Sequence, residues 1–160
     1  MLVPPYWDDE KMIEVLFLDM DNTIAENTTC KDVQFTKGMY LSKRPIGFMI
    51  DAVNTLLRPN VDLIIILTKV QGLFNGVDEK QRWLSDLEFR YDAFMYISDD
   101  TKKSKMMLDF CEANGYKPEE CLIIDDKKAV LQDAELYGFN VKYPQQLLVD
   151  YYEWIKNNIK

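Results

Sequence analysis

Five short, almost uninterrupted apolar runs recur along the 160-residue chain: EVLFLDM (14–20), VDLIIILT (61–68), FMYIS (94–98), CLIIDD (121–126) and NVKYP (140–144). A strand with one wet face alternates apolar and polar residues. Runs this continuous need cover on both faces, as parallel strands do. The segments between them carry helical spacing and helical punctuation. IGFMIDAVNTLLR (46–58) lies between Pro45 and Pro59, VDEKQRWLSDLEFRY (77–91) and KKSKMMLDFCEAN (102–114) follow, then KKAVLQDAELY (127–137) and QLLVDYYEWIKNN (146–158). Gly115 and Gly138 stand where helix C-caps usually fall. This alternation predicts an α/β protein: a doubly wound, Rossmann-like, parallel five-stranded sheet. The length suits a single domain over 1–160 with a short insert over about 24–44.

Composition narrows the function. The chain contains no histidine, so Ser-His-Asp and Cys-His catalysis and histidine zinc sites are excluded, and acid–base work near neutral pH falls to carboxylates or lysines. A net charge of -8 argues against duplex nucleic acid as a partner. The longest apolar run, LIIIL before Thr68, is too short to span a bilayer, and the MLVPPYWDDEK start lacks the features of a signal peptide, so a cytoplasmic location with no membrane partner is expected. Cys30, Cys111 and Cys121 have no metal-type spacing and read as reduced, small apolar residues. Trp83, Tyr91, Tyr151 and Trp154 read as packing residues.

In an open parallel sheet the ligand lies beyond the carboxyl ends of the strands, where the strand order switches direction. Polar residues collect at those ends. Asp19 and Asp21 follow the first run, Thr68 ends the second, and Asp125 and Asp126 end the fourth. Two carboxylates at the mouth of a buried strand repel each other and are costly to desolvate, so a ligand or a reaction is needed to account for them.

These residues resemble the motifs of the haloacid dehalogenase superfamily of phosphohydrolases: FLDMDNT for the DxDx[TV] element, IIILT for the second motif, a lysine within 102–105, and LIIDD for the acidic pair. The resemblance organises residues 14–143 and implies a Mg²⁺-dependent phosphatase acting on a small phosphorylated substrate. Asp19 is then the nucleophile and Asp21 the acid–base, its pKa raised by crowding among carboxylates. Thr68 holds a phosphate oxygen, and a lysine neutralises developing charge. Spacing favours Lys103 over Lys102 and Lys105, and Lys69 is an extra cation beside Thr68. The metal carboxylates are Asp19 with Asp125 and Asp126, and the resemblance adds the backbone carbonyl of Asp21. Val130 stands where such folds usually have a further acidic residue, so the acidic pair has to serve alone.

A closer likeness joins GMYLSKRPIGFMIDAVNTL and DEKQRWL to the 5'(3')-deoxyribonucleotidase branch, which carries an E-K-x-x-W pattern after the second motif. It implies (deoxy)ribonucleoside monophosphates as substrates. The chain departs from that branch in placing a full helix between its lysine cluster and the acidic pair, and in the shortness of the 24–44 insert. That insert carries Lys31, Lys37, Lys43 and Arg44 with Phe35 and Tyr40, residue types suited to a phosphorylated ligand with an aromatic base. Two other classes fit less well. A phosphate-receiving signalling domain places its acidic pair early and its phosphorylated aspartate mid-chain, and a dehalogenase has no use for Asp21 or Mg²⁺.

Overall fold

A computed structural model describes residues 12–27, 38–70 and 75–158. Five parallel strands, β1 (Val15–Leu18), β2 (Leu63–Lys69), β3 (Ala93–Ile97), β4 (Cys121–Ile124) and β5 (Asn140–Lys142), form one sheet in the order β3-β2-β1-β4-β5. The expected doubly wound sheet is present, with its switch point between β1 and β4. The α-helices among the described residues are α1 (Gly47–Ala52), α2 (Gly76–Asp86), α3 (Lys103–Asn114), α4 (Lys128–Leu136) and α5 (Pro144–Asn158).

The continuous apolar runs are explained by register. Leu16 pairs with Ile64 and Leu122, and Leu18 with Ile66 and Ile124. Those six side chains share one face, packed with Met49 and Ala52 of α1, Trp83 and Leu84 of α2, and Leu147 of α5. Val15, Phe17, Ile65, Leu67, Cys121 and Ile123 point the other way, onto Met107 and Cys111 of α3 and Val130, Leu131 and Ala134 of α4. Burial of each large apolar side chain contributes about 1.5–3 kcal/mol. This two-sided core offsets the cost of charges buried at the strand ends.

Element ends depart from the sequence expectation where the punctuation is not glycine. The predicted 46–58 helix is regular only to Ala52, then widens into a π-type turn over Val53–Leu57 and tightens over Arg58–Asn60. Pro59 has no N–H to give to the preceding turn and disfavours helical geometry in its neighbour, so the helix loosens as it nears that residue. The predicted 77–91 helix stops at Asp86, because Glu88 takes a left-handed conformation (φ 56°) and the Phe89 N–H returns to the Leu84 carbonyl at 3.0 Å. The last helix starts at Pro144, where a missing N–H costs nothing.

Tyr91, Tyr151 and Trp154 pack against the first core cluster, and Cys111 and Cys121 are buried free thiols in the second, with their sulfurs 3.5 Å apart. Cys30, Lys31, Phe35 and Lys37 lie outside the described residues. Among the described residues no helix is long and apolar enough to cross a membrane.

Candidate active site

The site begins where the central strand pair runs out. The Asp19 N–H donates to the Ile124 carbonyl at 3.1 Å, and Asp125 follows directly on β4, so the β1–β4 register that pairs Leu18 with Ile124 also sets the two aspartates side by side. Lys103, the first residue of α3, reaches both: its ammonium donates to Asp19 Oδ1 at 3.0 Å and to Asp125 Oδ2 at 2.6 Å. It is 1% exposed. Burial alone would lower its pKa, but the two carboxylates outweigh that and hold it above the ordinary lysine value. Of the three lysines that spacing left open, Lys103 is therefore the one at the strand ends. Lys105 pairs with Asp109 on the surface, and Lys102 is exposed.

Burial also pushes the Asp19 carboxyl well above its usual range, opposed by Lys103 and reinforced by the charge of Asp125. Asp125 is raised for the same reason, again against the pull of Lys103. Its second oxygen, Oδ1, accepts the Lys127 N–H at 2.9 Å. Asp126 is half-buried and accepts from the Asn22 amide at 3.2 Å. Asp19, Asp125 and Asp126 each place a carboxylate oxygen within 4.8 Å of the others'. An all-oxygen, strongly anionic donor set of this kind suits a hard divalent cation such as Mg²⁺. Val130 is a core residue of α4, so no further carboxylate stands at that position.

Asp21 has been turned out of this group. The Met20 carbonyl accepts the N–H groups of Thr23, Ile24 and Ala25 at 3.1, 2.9 and 2.9 Å, and Asn22 takes a left-handed conformation (φ 61°), so the chain reverses directly after Asp19. Thr23 inside that turn donates its hydroxyl to Asp19 Oδ2 at 3.3 Å. The Asp21 carboxylate instead accepts from the Tyr40 hydroxyl (2.9 Å) and the Lys43 ammonium (2.7 Å) on Oδ1, and from the Lys80 ammonium (3.0 Å) on Oδ2. This corrects the expected charge state. Burial does push the group up, but Lys80 and Lys43 outweigh it and hold the Asp21 carboxyl below its usual range. Its neighbours are cations, where the sequence reading had placed carboxylates.

Thr68 is fully buried at the end of β2, and its hydroxyl accepts from Lys80 Nζ at 2.6 Å, leaving the O–H proton as a donor. Beside it, Lys69 contributes its backbone carbonyl, which takes the third Lys80 bond at 2.6 Å. The insert is closed at its base, where Ala25 bridges Pro45 and the N–H groups of Glu26 and Ile46 bond to the carbonyls of Arg44 and Ile24 at 2.9 and 2.7 Å. Tyr40 is 1% exposed and meets Trp83 edge-on at 5.9 Å. A ring buried to that degree has no face for a nucleobase, so the recognition role expected of Tyr40 gives way to a packing one.

Solved structures share this fold at low sequence identity. A haloacid dehalogenase-like family hydrolase from Streptococcus pneumoniae is 15% identical, with a TM-score of 0.59 over 88% of this chain and 91% of that one. D,D-heptose 1,7-bisphosphate phosphatase from B. bronchiseptica, complexed with magnesium and phosphate, is 16% identical, with a TM-score of 0.59 over 81% and 79%. L-2-haloacid dehalogenase from Xanthobacter autotrophicus is 13% identical, with a TM-score of 0.58 over 81% and 76%. The chain has the haloacid dehalogenase-like fold. No family model matches the sequence, and no curated protein matches it as a relative. On this fold phosphatases and a dehalogenase are both found, so the chemistry must be argued from the site.

Within the haloacid dehalogenase-like sheet, the sequence reading passed over Lys80. In the sequence it stands only as part of the E-K-x-x-W pattern. A sharper signal was available: Lys80 shares a helical stripe with Trp83 and Leu84, at spacings of three and four, and a lysine in an otherwise core-facing stripe needs a buried partner.

Proposed function

We propose that the protein is a Mg²⁺-dependent phosphomonoester hydrolase that works through an aspartyl-phosphate on Asp19. The observation that carries this reading is the single ammonium of Lys103 shared by Asp19 and Asp125, beside an oxygen cluster completed by Asp126. Asp19, Asp125 and Asp126 would hold the metal, with the backbone carbonyl of Asp21 as a further ligand. Bound there, Mg²⁺ would supply positive charge against which a phosphoryl group can approach the carboxylates.

The residues divide the remaining work. A carboxylate oxygen of Asp19 attacks phosphorus, the bond to the leaving oxygen breaks, and that oxygen takes the proton of the Asp21 carboxyl, which has to be loaded from solvent beforehand because Lys80 and Lys43 hold the resting group ionised. Water then attacks the phosphorus of the acyl phosphate, gives its proton back to Asp21 and releases inorganic phosphate with Asp19 restored. Lys103 opposes the cost of burial on the Asp19 carboxylate and neutralises charge on the phosphoryl oxygens, and the Thr68 O–H donates to one of them. With Lys43 and Lys80 where they stand, Asp21 is poised as the proton acceptor of the second step. Asp21 also favours phosphatase over dehalogenase chemistry, which has no alkoxide to protonate.

A (deoxy)ribonucleoside monophosphate is the substrate class we favour, on the strength of the E-K-x-x-W pattern. Purified protein should hydrolyse p-nitrophenyl phosphate with Mg²⁺, lose the activity in EDTA and regain it when Mg²⁺ is restored. Hydrolysis unaffected by chelation would remove the reading. In a panel of phosphorylated metabolites, nucleoside monophosphates should lead sugar phosphates, and the reverse order would reject that substrate class alone.

A further inference from the structure

Lys80 is an unusual lysine. It is 0% exposed, and its three N–H bonds are all used, on Asp21 Oδ2, Thr68 Oγ1 and the Lys69 carbonyl at 3.0, 2.6 and 2.6 Å. An ammonium out of water costs several kcal/mol before its partners are counted. A core needing only a plug between β2 and α2 would use an apolar residue. Two of the three acceptors are the proposed acid–base and the proposed phosphate-binding hydroxyl.

The neighbours of Lys80 on α2 act on the same carboxylate from its other side. Glu79 accepts the N–H groups of Gly38 and Tyr40 at 2.9 and 3.2 Å, and the Trp83 indole donates to the Lys43 carbonyl at 3.0 Å. These bonds pin the stretch from Gly38 to Lys43, which brings the Tyr40 hydroxyl and the Lys43 ammonium onto Asp21 Oδ1. Both ammoniums also lie over the Tyr40 ring, at 4.6 Å for Lys43 and 5.0 Å for Lys80. One helix therefore fixes both oxygens of Asp21, Oδ2 directly and Oδ1 through the insert.

We infer that Lys80 is a positioning residue for proton transfer: it sets the direction of the Asp21 carboxylate, and Glu79 and Trp83 lock the insert into the same arrangement. This rests on the phosphatase reading for its consequence but on the bonds themselves for its geometry, and the two are separable by experiment.

The kinetic test compares two substrates. A p-nitrophenyl leaving group departs without a proton, whereas an alkyl phosphate needs one. Lys80→Met should slow the first turnover of an alkyl phosphate about a hundredfold, the scale on which misplacement of a reacting group is felt, and leave the first-turnover release of p-nitrophenolate from p-nitrophenyl phosphate within about threefold. Tyr40→Phe, which removes one hydroxyl and no packing, should show the same split more weakly. Equal losses on both substrates would mean a merely structural Lys80, and no loss on either would mean no role. A spectroscopic arm needs no turnover. The Asp21 carboxyl ¹³C resonance, assigned by its absence in Asp21→Asn, should move in folded Lys80→Met. An unmoved resonance overturns the inference whatever the activity, while a moved one in a protein inactive on every phosphate ester upholds the positioning and rejects the phosphatase reading.

Discussion

The two buried lysines divide the site into halves built in different ways. Lys103 joins Asp19 and Asp125, whose positions follow from β1, β4 and the first turn of α3. Lys80 joins Asp21 and Thr68, and the arrangement around it depends on the 38–43 stretch of an insert held by two side chains of α2. The first half is a consequence of strand register and has little freedom short of unfolding the sheet. The second is an assembly of side chains from separate segments, and it can open locally. On the proposed mechanism, chemistry on phosphorus falls to the rigid half and proton traffic to the half that can open.

The largest expected effect falls in the rigid half. Asp19→Asn retains shape and removes the proposed nucleophile, so hydrolysis of p-nitrophenyl phosphate should drop at least about a thousandfold. A folded variant with several per cent of parent activity would break the covalent mechanism. Lys103→Met comes next, at about 2–4 kcal/mol of transition-state stabilisation, measured as the change in kcat/KM. A loss smaller than that of Lys105→Met would move the phosphate-binding role to another lysine.

In the mobile half the expected changes are smaller and uneven. Glu79→Gln leaves one acceptor where two N–H groups now bond, so amide exchange should accelerate over 38–46 while β1 and β4 stay protected. If the sheet amides accelerate equally, the halves are one cooperative unit and the contrast fails. The smallest effect is Lys105→Met, which breaks only a surface pair with Asp109 in which Lys105 is 78% exposed. Its stability in urea should stay within about 0.5 kcal/mol of the parent.

The same division governs what the sequence reveals. Asp19, Asp125, Asp126 and Lys103 were legible because apolar strands and a helix start announce themselves locally, and the pairing of parallel strands then brings their ends together. The fold was legible for the same reason, with errors where a turn relied on Glu88 in a left-handed conformation or on a helix loosened ahead of Pro59. Asp21 was placed correctly in the chain but given the wrong surroundings. Its partners come from Tyr40, Lys43 and Lys80, and only the folded insert shows that these replace the carboxylates expected around it. Lys80 was hidden because a lysine on a helix is by default a solvated residue, and only its place on the stripe with Trp83 and Leu84 argued otherwise.

The bridge between Ala25 and Pro45 has a consequence for how such a protein could change. Because the insert leaves and rejoins the core at one point, the core experiences it as a closed ring of chain, and the entropy of closing a ring grows only with the logarithm of its length. Doubling that length would cost on the order of 0.6 kcal/mol. This one segment could thus be lengthened with the strand-end carboxylates left in register and almost none of the stability surrendered.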